Sequence, residues 1–489
     1  MKPFSRLYLI SSRHQQLSPW QRQSPRLALF LGRAYSTGDS TPTKPAASGS
    51  SIASTQRSDS PPINWDEEPN LSISAFSQLP STNFGVNQHM IINQEFKEAL
   101  RQILWQFRAP IRYAFAYGSG VFPQKEQNGA PQLQDSSSAA LSKSPGGRGK
   151  MIDFIFGVSH TQHWHSLNLQ QHRDHYSAIG RLGSYAVSRT QDAWGAGVYF
   201  NPFITVNGTL IKYGVVNIDT LCTDLSEWTT LYLAGRLQKP VKILRDDPRV
   251  RLANQVNLLS ALRTALLLLP ENFTEKQLYS TIAGISYRGD VRMSLPAENM
   301  SKVDNIVSNQ MPNFRRLYAP LIETLPNVSF ADSKALNPDF NFDSSVNAKL
   351  QQDMDPLKRG NMVRRLPKAF RQKVYFAFQS RYQIPRGEFD KMLEEAVDED
   401  AKGLKRRQAG PFEIRVARES TEVLITEIGS SIRKTIGWSS TMQTVKNTIT
   451  AGVRRSWRYA MEKYAKWKEG RKSGTGKAKT ETPKEKEQT

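Results

Sequence analysis

Residues 195–219 read GAGVYFNPFITVNGTLIKYGVVNID, two apolar runs joined by Val-Asn-Gly. Asn-Gly supplies the positive φ angles of a tight hairpin turn, so the stretch predicts two antiparallel strands. Upstream, RYAFAYGSG (112–120) predicts a strand that ends at glycine, and MIDFIFGV (151–158) a second β-rich run. Before both, EFKEALRQILWQF (95–107) places Phe96, Leu100, Ile103, Leu104 and Phe107 on one helical face. Between the first two strands, residues 124–150 show no periodicity and predict a flexible insertion. The order helix, strand, long loop, strand, helix, hairpin describes a mixed α/β unit, bounded here at 71–245.

From 251 the period changes. Leu252, Val256, Leu259, Leu262, Leu266 and Leu269 form one helical stripe, which Pro270 ends. Thr274 with Gln277 is a capping-box signal for the next helix, and another helix is expected over 302–325. With the turn SYRGDVRM (286–293), this predicts a smaller helical domain over 246–330. A further helical region occupies 331–440, with helix expected at roughly 357–400. The most apolar stretch, NLLSALRTALLLLP (257–270), is short, carries Arg263 and stops at proline. It predicts a buried helix, since a membrane span needs about 18 or more uncharged apolar residues.

The chain has 489 residues, 66 Lys+Arg against 44 Asp+Glu, and a net charge of +22. That balance asks for an anionic partner: a nucleotide, a nucleic acid or an anionic membrane. A single cysteine, Cys222, excludes a disulfide framework within one chain. Residues 1–38 contain six basic residues and no acid, with serines and leucines between. This predicts a mitochondrial transit peptide over 1–35, cleaved between Tyr35 and Ser36. The Ser-, Thr- and Pro-rich segment 36–70 reads as a disordered linker, and 471–489 as a disordered tail.

Gly118, Ser119 and Gly120 follow a strand, and Asp153 interrupts an apolar one. Glycine lets backbone N–H groups approach phosphate oxygens, and a neighbouring aspartate suits Mg²⁺ bound to the same phosphates. The pattern resembles DNA polymerase beta-type nucleotidyltransferases, with Gly-Ser followed by Asp-x-Asp. Here Ile155 replaces the second carboxylate. The order FAYGSGVFPQ, MIDFIFGV, WHSLNLQQHRDHYS, GAGVYFNP, NGTLIKYGVV, LYLAGRLQKPVKIL and LPENFTEKQLYSTIAGISYRGDVRM then closely resembles the mitochondrial phosphatidate cytidylyltransferases. The resemblance is strong over roughly 95–330.

That resemblance implies a nucleotidyltransferase domain followed by a winged-helix-like domain. It implies Mg²⁺-dependent conversion of CTP and phosphatidate to CDP-diacylglycerol and pyrophosphate, feeding cardiolipin synthesis on the matrix face of the mitochondrial inner membrane. No nucleic-acid partner is then expected. On this reading Asp153, Ser119 and Lys212 serve catalysis, and Asp153 with Asp224 holds metal. Tyr117, Gly118, Ser119, Gly120, His165, Asn168, Arg236 and Lys239 meet the nucleotide. His165 is open to a purely structural role, and Asp219 to one as a further carboxylate or a helix cap. Residues 441–470 predict a basic amphipathic helix. Val445, Ile449, Val453, Trp457, Met461, Tyr464 and Trp467 form its apolar stripe, with Lys446, Arg454, Arg455, Arg458, Lys463 and Lys466 around it. Such a helix would lie on anionic phospholipid; packing on the protein is the other reading. RNA binding or RNA nucleotide addition, and a non-catalytic role in protein-import assembly, are the rival functions.

Overall fold

The computed structural model describes residues 74–122, 151–289, 302–332, 346–395, 407–452 and Met461, all within the compact unit Pro62–Thr489. Helix α1 (Gln94–Trp105) buries Phe96, Leu100 and Ile103, and Asn93 caps it by accepting from Glu95 N. Strands β1 (Tyr113–Tyr117) and β2 (Ile152–Val158) follow, then α2 (Thr161–Gln171), α3 (Gly183–Ala193) and the hairpin β3 (Val198–Val206) with β4 (Thr209–Asn217). Asn207 and Gly208 both take positive φ at the turn. Helices α4 (Ile218–Glu227) and α5 (Ala234–Leu237) lead to β5 (Lys242–Arg245).

These strands form one sheet in the order β3-β4-β2-β1-β5. β2 and β4 run parallel, whereas β1 is antiparallel to both β2 and β5. Alternation along each strand divides the sheet into two faces. Phe154, Phe156 and Tyr213 point to one face, where Phe156 and Tyr213 stack at 5.3 Å and Trp164 of α2 lies 6.5 Å from Phe156. Asp153, Ile155 and Gly157 belong to the other, where the Ile218 side chain of α4 fills the space above Gly157.

Beyond the sheet, α6 (Pro248–Leu268) starts at Asp247, whose carboxylate accepts from Arg249 N and Val250 N. It is buried along almost its whole length, Arg263 included. The most apolar stretch is therefore core, and no described helix is long and apolar enough to cross a membrane. Strand β6 (Asn272–Thr274) precedes α7 (Glu275–Ile285), which carries the Thr274–Gln277 capping box. Helices Lys302–Ser308 and Met311–Thr324, with Pro312 near the start of the second, replace the single helix expected over 302–325. Strands β7 (Val328–Phe330) and β8 (Lys349–Gln352) pair with β6 in the order β6-β8-β7, so this region contains a small sheet. Glu275 holds it to the helices. Its buried carboxylate accepts from Arg315 at 2.7 Å, Tyr279 Oη at 2.9 Å and Ala348 N at 3.2 Å.

Among the described residues four helices follow: Pro356–Arg364, Lys368–Tyr382, Arg386–Glu395 and Pro411–Ala417. The last described helix, Thr421–Ala451, is 31 residues long and returns to the first sheet. Gln443 there donates to Val198 O at 2.9 Å and accepts from Ala196 N at 3.1 Å, covering the exposed edge of β3. The helix runs unbroken across position 441, where the sequence suggested that a separate membrane-binding helix begins.

Candidate active site

Asp153 lies near the start of β2, opposite Tyr117 of β1 and Lys212 of β4. A single residue from each of three adjacent strands therefore meets in one row across the sheet. Lys212 Nζ is 3.5 Å from Asp153 Oδ1 and 4.6 Å from the centre of the Phe200 ring. Both partners stay partly open, with side chains 16% and 26% exposed for Lys212 and Asp153.

The glycine pair follows from how closely the chain turns here. Gly118 has φ +83°, and a Cβ on it would lie 3.3 Å from Asp153 Oδ2. The N–H groups of Val121 and Phe122 donate to Gly118 O at 3.1 and 2.9 Å, closing a turn with Ser119 exposed at its tip. Gly120 is needed for space, because a Cβ there would stand 2.7 Å from Met151 O. The sequence placed Gly118, Ser119 and Gly120 beside Asp153, and the fold brings them together.

Arg236 completes the row's other end. Its guanidinium stacks 3.9 Å above the Tyr232 ring, donates to Tyr232 O, and donates through Nε to Tyr117 Oη at 3.3 Å. Burial raises the Tyr117 phenol above its ordinary pKa, and the Asp153 charge adds to this while Arg236 opposes it. Lys239 lies one turn further on, donating to Gly235 O and, at 2.7 Å, to Ser286 Oγ. Burial, then the charges of Arg236 and Lys302, lower its pKa to about 7.

Asp224 takes a different place from the metal role expected of it. Its Oδ1 accepts from Thr230 N, Thr230 Oγ1 and Leu231 N at 2.8, 2.8 and 3.0 Å. Its Oδ2 accepts from Leu233 N and Ala234 N at 2.9 and 3.0 Å. Both oxygens are thus spent on the turn that presents Tyr232 and Arg236. Asp219 pairs with Arg249 at 2.7 Å, and Asn217, rather than Asp219, caps α4. It follows the far end of β4, about 16 Å along the strand from Lys212.

His165 and Asn168 are likewise removed from Asp153. Both are fully buried beneath the opposite face of the sheet. Asn168 donates to Tyr176 Oη and Tyr213 Oη, and Tyr213 points away from the Lys212 face. His165 joins Tyr176 Oη and Gln191 Oε1 at 2.8 Å each, and burial lowers its pKa to about 4. These two are core residues of a buried polar network. A shared helix face does not reveal which side of a sheet the helix covers. The aromatic supports of the site, Phe200 on β3 and Tyr232 in the turn before α5, were not singled out, because nothing local in the sequence places them beside Lys212 and Arg236.

His172, Asp174 and His175 bring their ligand atoms within 4.8 Å of one another. Their imidazoles stack in parallel, 4.4 Å apart and 1° from coplanar orientation, so their lone pairs run side by side rather than converging on one ion. An open cleft of about 550 Å³, lined by Ser159, His160, His163 and Asn217, lies at the opposite ends of β2 and β4 from Asp153.

Over residues 100–466 the sequence matches the family described as "Phosphatidate cytidylyltransferase, mitochondrial". The chain belongs to this family. A relative of that name from Schizosaccharomyces pombe is 37% identical over 396 residues, covering 80% of this chain and 88% of the relative. One from Xenopus laevis is 37% identical over 370 residues, covering 75% and 93%. The Saccharomyces cerevisiae relative is 44% identical over 260 residues, covering 52% and 63%. The family match spans the Gly118 turn, Asp153, Lys212 and Arg236, so the whole row across the sheet falls within it.

Proposed function

We propose that the reaction centre of this CTP-dependent phosphatidate cytidylyltransferase is the row Tyr117, Asp153 and Lys212 under the Gly118–Gly120 turn. The observation that carries this reading is the convergence of a close glycine turn after β1 with a carboxylate on β2 and an ammonium on β4. A non-bridging oxygen of the phosphatidate monoester attacks the α-phosphorus of CTP. The bond to the β-phosphate breaks, and pyrophosphate leaves with CDP-diacylglycerol as the other product. Such transfers depend on positioning and charge neutralisation more than on covalent help from the protein. The attacking group needs no base, because a phosphate monoester with a second pKa near about 6 is already dianionic at neutral pH.

Mg²⁺ fits this site as an ion held by a single carboxylate. It commonly keeps several waters and takes one or two carboxylates plus substrate phosphates, so Asp153 alone suffices once CTP supplies its oxygens. When bound it would neutralise charge on the transferring and leaving phosphates. Lys212, already balanced against Asp153, supplies a fixed positive charge beside the same phosphates. Arg236 braces Tyr117 from one side. The first domain is read as a nucleotidyltransferase fold and the region around β6–β8 as winged-helix-like.

The relatives carry "mitochondrial" in their names. We place the enzyme peripherally on the matrix side of the inner membrane, where CDP-diacylglycerol supplies cardiolipin synthesis. The apolar and basic residues at 453–467 would provide its lipid contact. Val453, Arg454, Arg455, Trp457, Arg458, Tyr464 and Trp467 lie outside the described residues; Met461 is described, helical and 51% exposed. Lys446, expected beside that stripe, is instead buried against α3.

Labelled CTP, Mg²⁺ and phosphatidate vesicles should give labelled CDP-diacylglycerol. An RNA acceptor in the same mixture should stay unlabelled. Labelled RNA without labelled lipid would overturn the proposal in favour of an RNA nucleotidyltransferase.

A further inference from the structure

The row across the sheet closes on itself through two aromatic rings. Lys212 Nζ stands 4.6 Å from the centre of the Phe200 ring, and the Arg236 guanidinium 3.9 Å from that of Tyr232. The two rings meet edge to face, with centres 6.5 Å apart and planes at 68°. On the far side Arg236 Nε donates to Tyr117 Oη, and Tyr117 and Lys212 are both register partners of Asp153. Asp153, Lys212, Phe200, Tyr232, Arg236 and Tyr117 thus make one closed circuit of side chains. Its two cations come from separate elements, β4 and α5, and the ring pair spans the gap between them. Each ring is held by its surroundings. Phe200 is buried over Gly214, where a Cβ would stand 2.6 Å from Phe200 Cε1 and 2.9 Å from Ile155 Cδ1. Tyr232 is buried too, and the N–H groups on either side of it, of Leu231 and Leu233, are anchored on Asp224.

We infer that Phe200 and Tyr232 are positioning residues for the transfer. As one aromatic bridge they set the separation and direction of Lys212 and Arg236, so that both positive charges are in place before the substrate phosphates arrive. This rests on the reaction centre proposed above. Lys212 and Arg236 carry like charge, and the electron-rich ring faces lower the cost of holding both at one site. Rings in edge-to-face contact do not turn independently, so a shift of one cation is passed to the other. An aliphatic pair of similar volume would fill the same space and supply neither effect. Phosphoryl-type transfer asks a protein for charge set beforehand, because such charge needs no reorganisation during the reaction.

The test changes ring character at nearly constant volume. It uses the full chain with CTP, Mg²⁺ and dihexanoyl phosphatidate. Fluorine drains electron density from a ring face and barely alters its size. Phenylalanine carrying one, two and then three fluorines at position 200 should lower kcat/KM for CTP stepwise, reaching about tenfold, with the thermal midpoint unchanged. Phe200→Leu and Tyr232→Leu should each cost about tenfold. The double variant should lose no more than about the larger single loss, because either change opens the bridge. Tyr232→Phe keeps the ring and should recover most of what Tyr232→Leu loses. A response to Leu without one to fluorine would make the rings core filling and overturn the inference, as would fully additive losses. Asp153→Ala, measured alongside, separates this from the reading beneath it. Lost turnover there with silent ring variants sinks the bridge alone; parental turnover in every variant sinks the bridge and the reaction centre together.

Discussion

Lys212 Nζ lies 3.5 Å from Asp153 Oδ1, and the two residues are direct register partners on adjacent parallel strands. The sheet holds both backbones in place, so on the proposed reading the pair marks where a metal–triphosphate would sit.

Replacing Asp153 by Ala should therefore abolish cytidylyl transfer and leave the fold intact, because this carboxylate is half-open and fills no core space. Turnover together with the thermal midpoint would show it. Near-parental turnover would remove Asp153 from the metal role.

Ser119 calls for a milder outcome. Its side chain is exposed at the tip of the Gly118 turn, and the turn closes through backbone bonds that Ser119→Ala retains. We expect a loss at least about tenfold smaller than for Asp153→Ala under the same assay, about 1.4 kcal/mol less in transition-state terms. The reverse ranking would show that the hydroxyl itself handles phosphate.

Asp224→Ala should damage stability before chemistry. Four backbone N–H groups lose their acceptor, and each buried orphan costs about 1–3 kcal/mol. Part of that will be recovered by rearrangement, so a loss of several kcal/mol in denaturant unfolding is expected. Activity should fall along with it, through displacement of Arg236. A variant with parental stability and no activity would return Asp224 to the metal site.

Lys446 gives a pH signature. Its ammonium donates to Gln191 O at 3.0 Å and Trp194 O at 2.6 Å, and burial lowers its pKa to about 7 from 10.5, with Asp192 opposing the shift. Between those values the unfolded chain holds the proton that the folded chain has released. Stability from this group therefore rises as pH climbs from about 7 toward 10.5. The parent minus Lys446→Met difference in unfolding free energy should grow over that range. A flat difference would mean that the lysine reaches water.

Membrane docking is best tested by cutting after Gly452 rather than near residue 440. The shorter cut removes Gln443 and Lys446, which hold β3 and α3, and would injure the sheet. A chain ending at Gly452 should bind CTP normally, convert a short-chain soluble phosphatidate, and no longer float with anionic vesicles at low salt. Equal flotation of the cut and full-length chains would place lipid contact upstream.

How far the sequence carried depends on the length of each element. β1 to β4 and the Asn-Gly turn were legible because five to nine residues show a clear pattern. The capping box at Thr274 and Gln277 was legible because it is purely local. β6, β7 and β8 span three or four residues each, too few for any period, and the buried Glu275 that pairs with Arg315 also accepts from Ala348 N just before β8, a contact that no local pattern announces. Gly118, Ser119 and Asp153 could be placed side by side because their two strands were legible, and the sheet does bring them together. His165, Asn168 and Asp224 were misplaced because a polar residue in the right region can serve a core network or a turn as easily as a ligand. Only the side it faces decides. Lys446 shows the same limit, since a lysine on a long helix can donate to buried carbonyls instead of to solvent.

The Gln443 contact with Val198 has a consequence for how the molecule is made. The two residues are 245 positions apart, so β3 leaves the ribosome long before the segment that covers it. Until that segment arrives, an apolar edge strand is open to pairing with any other chain, the condition under which nascent proteins aggregate. Folding of the first sheet can begin early but cannot be sealed until synthesis is nearly complete. A chain stalled or truncated before residue 443 should need a chaperone to stay soluble.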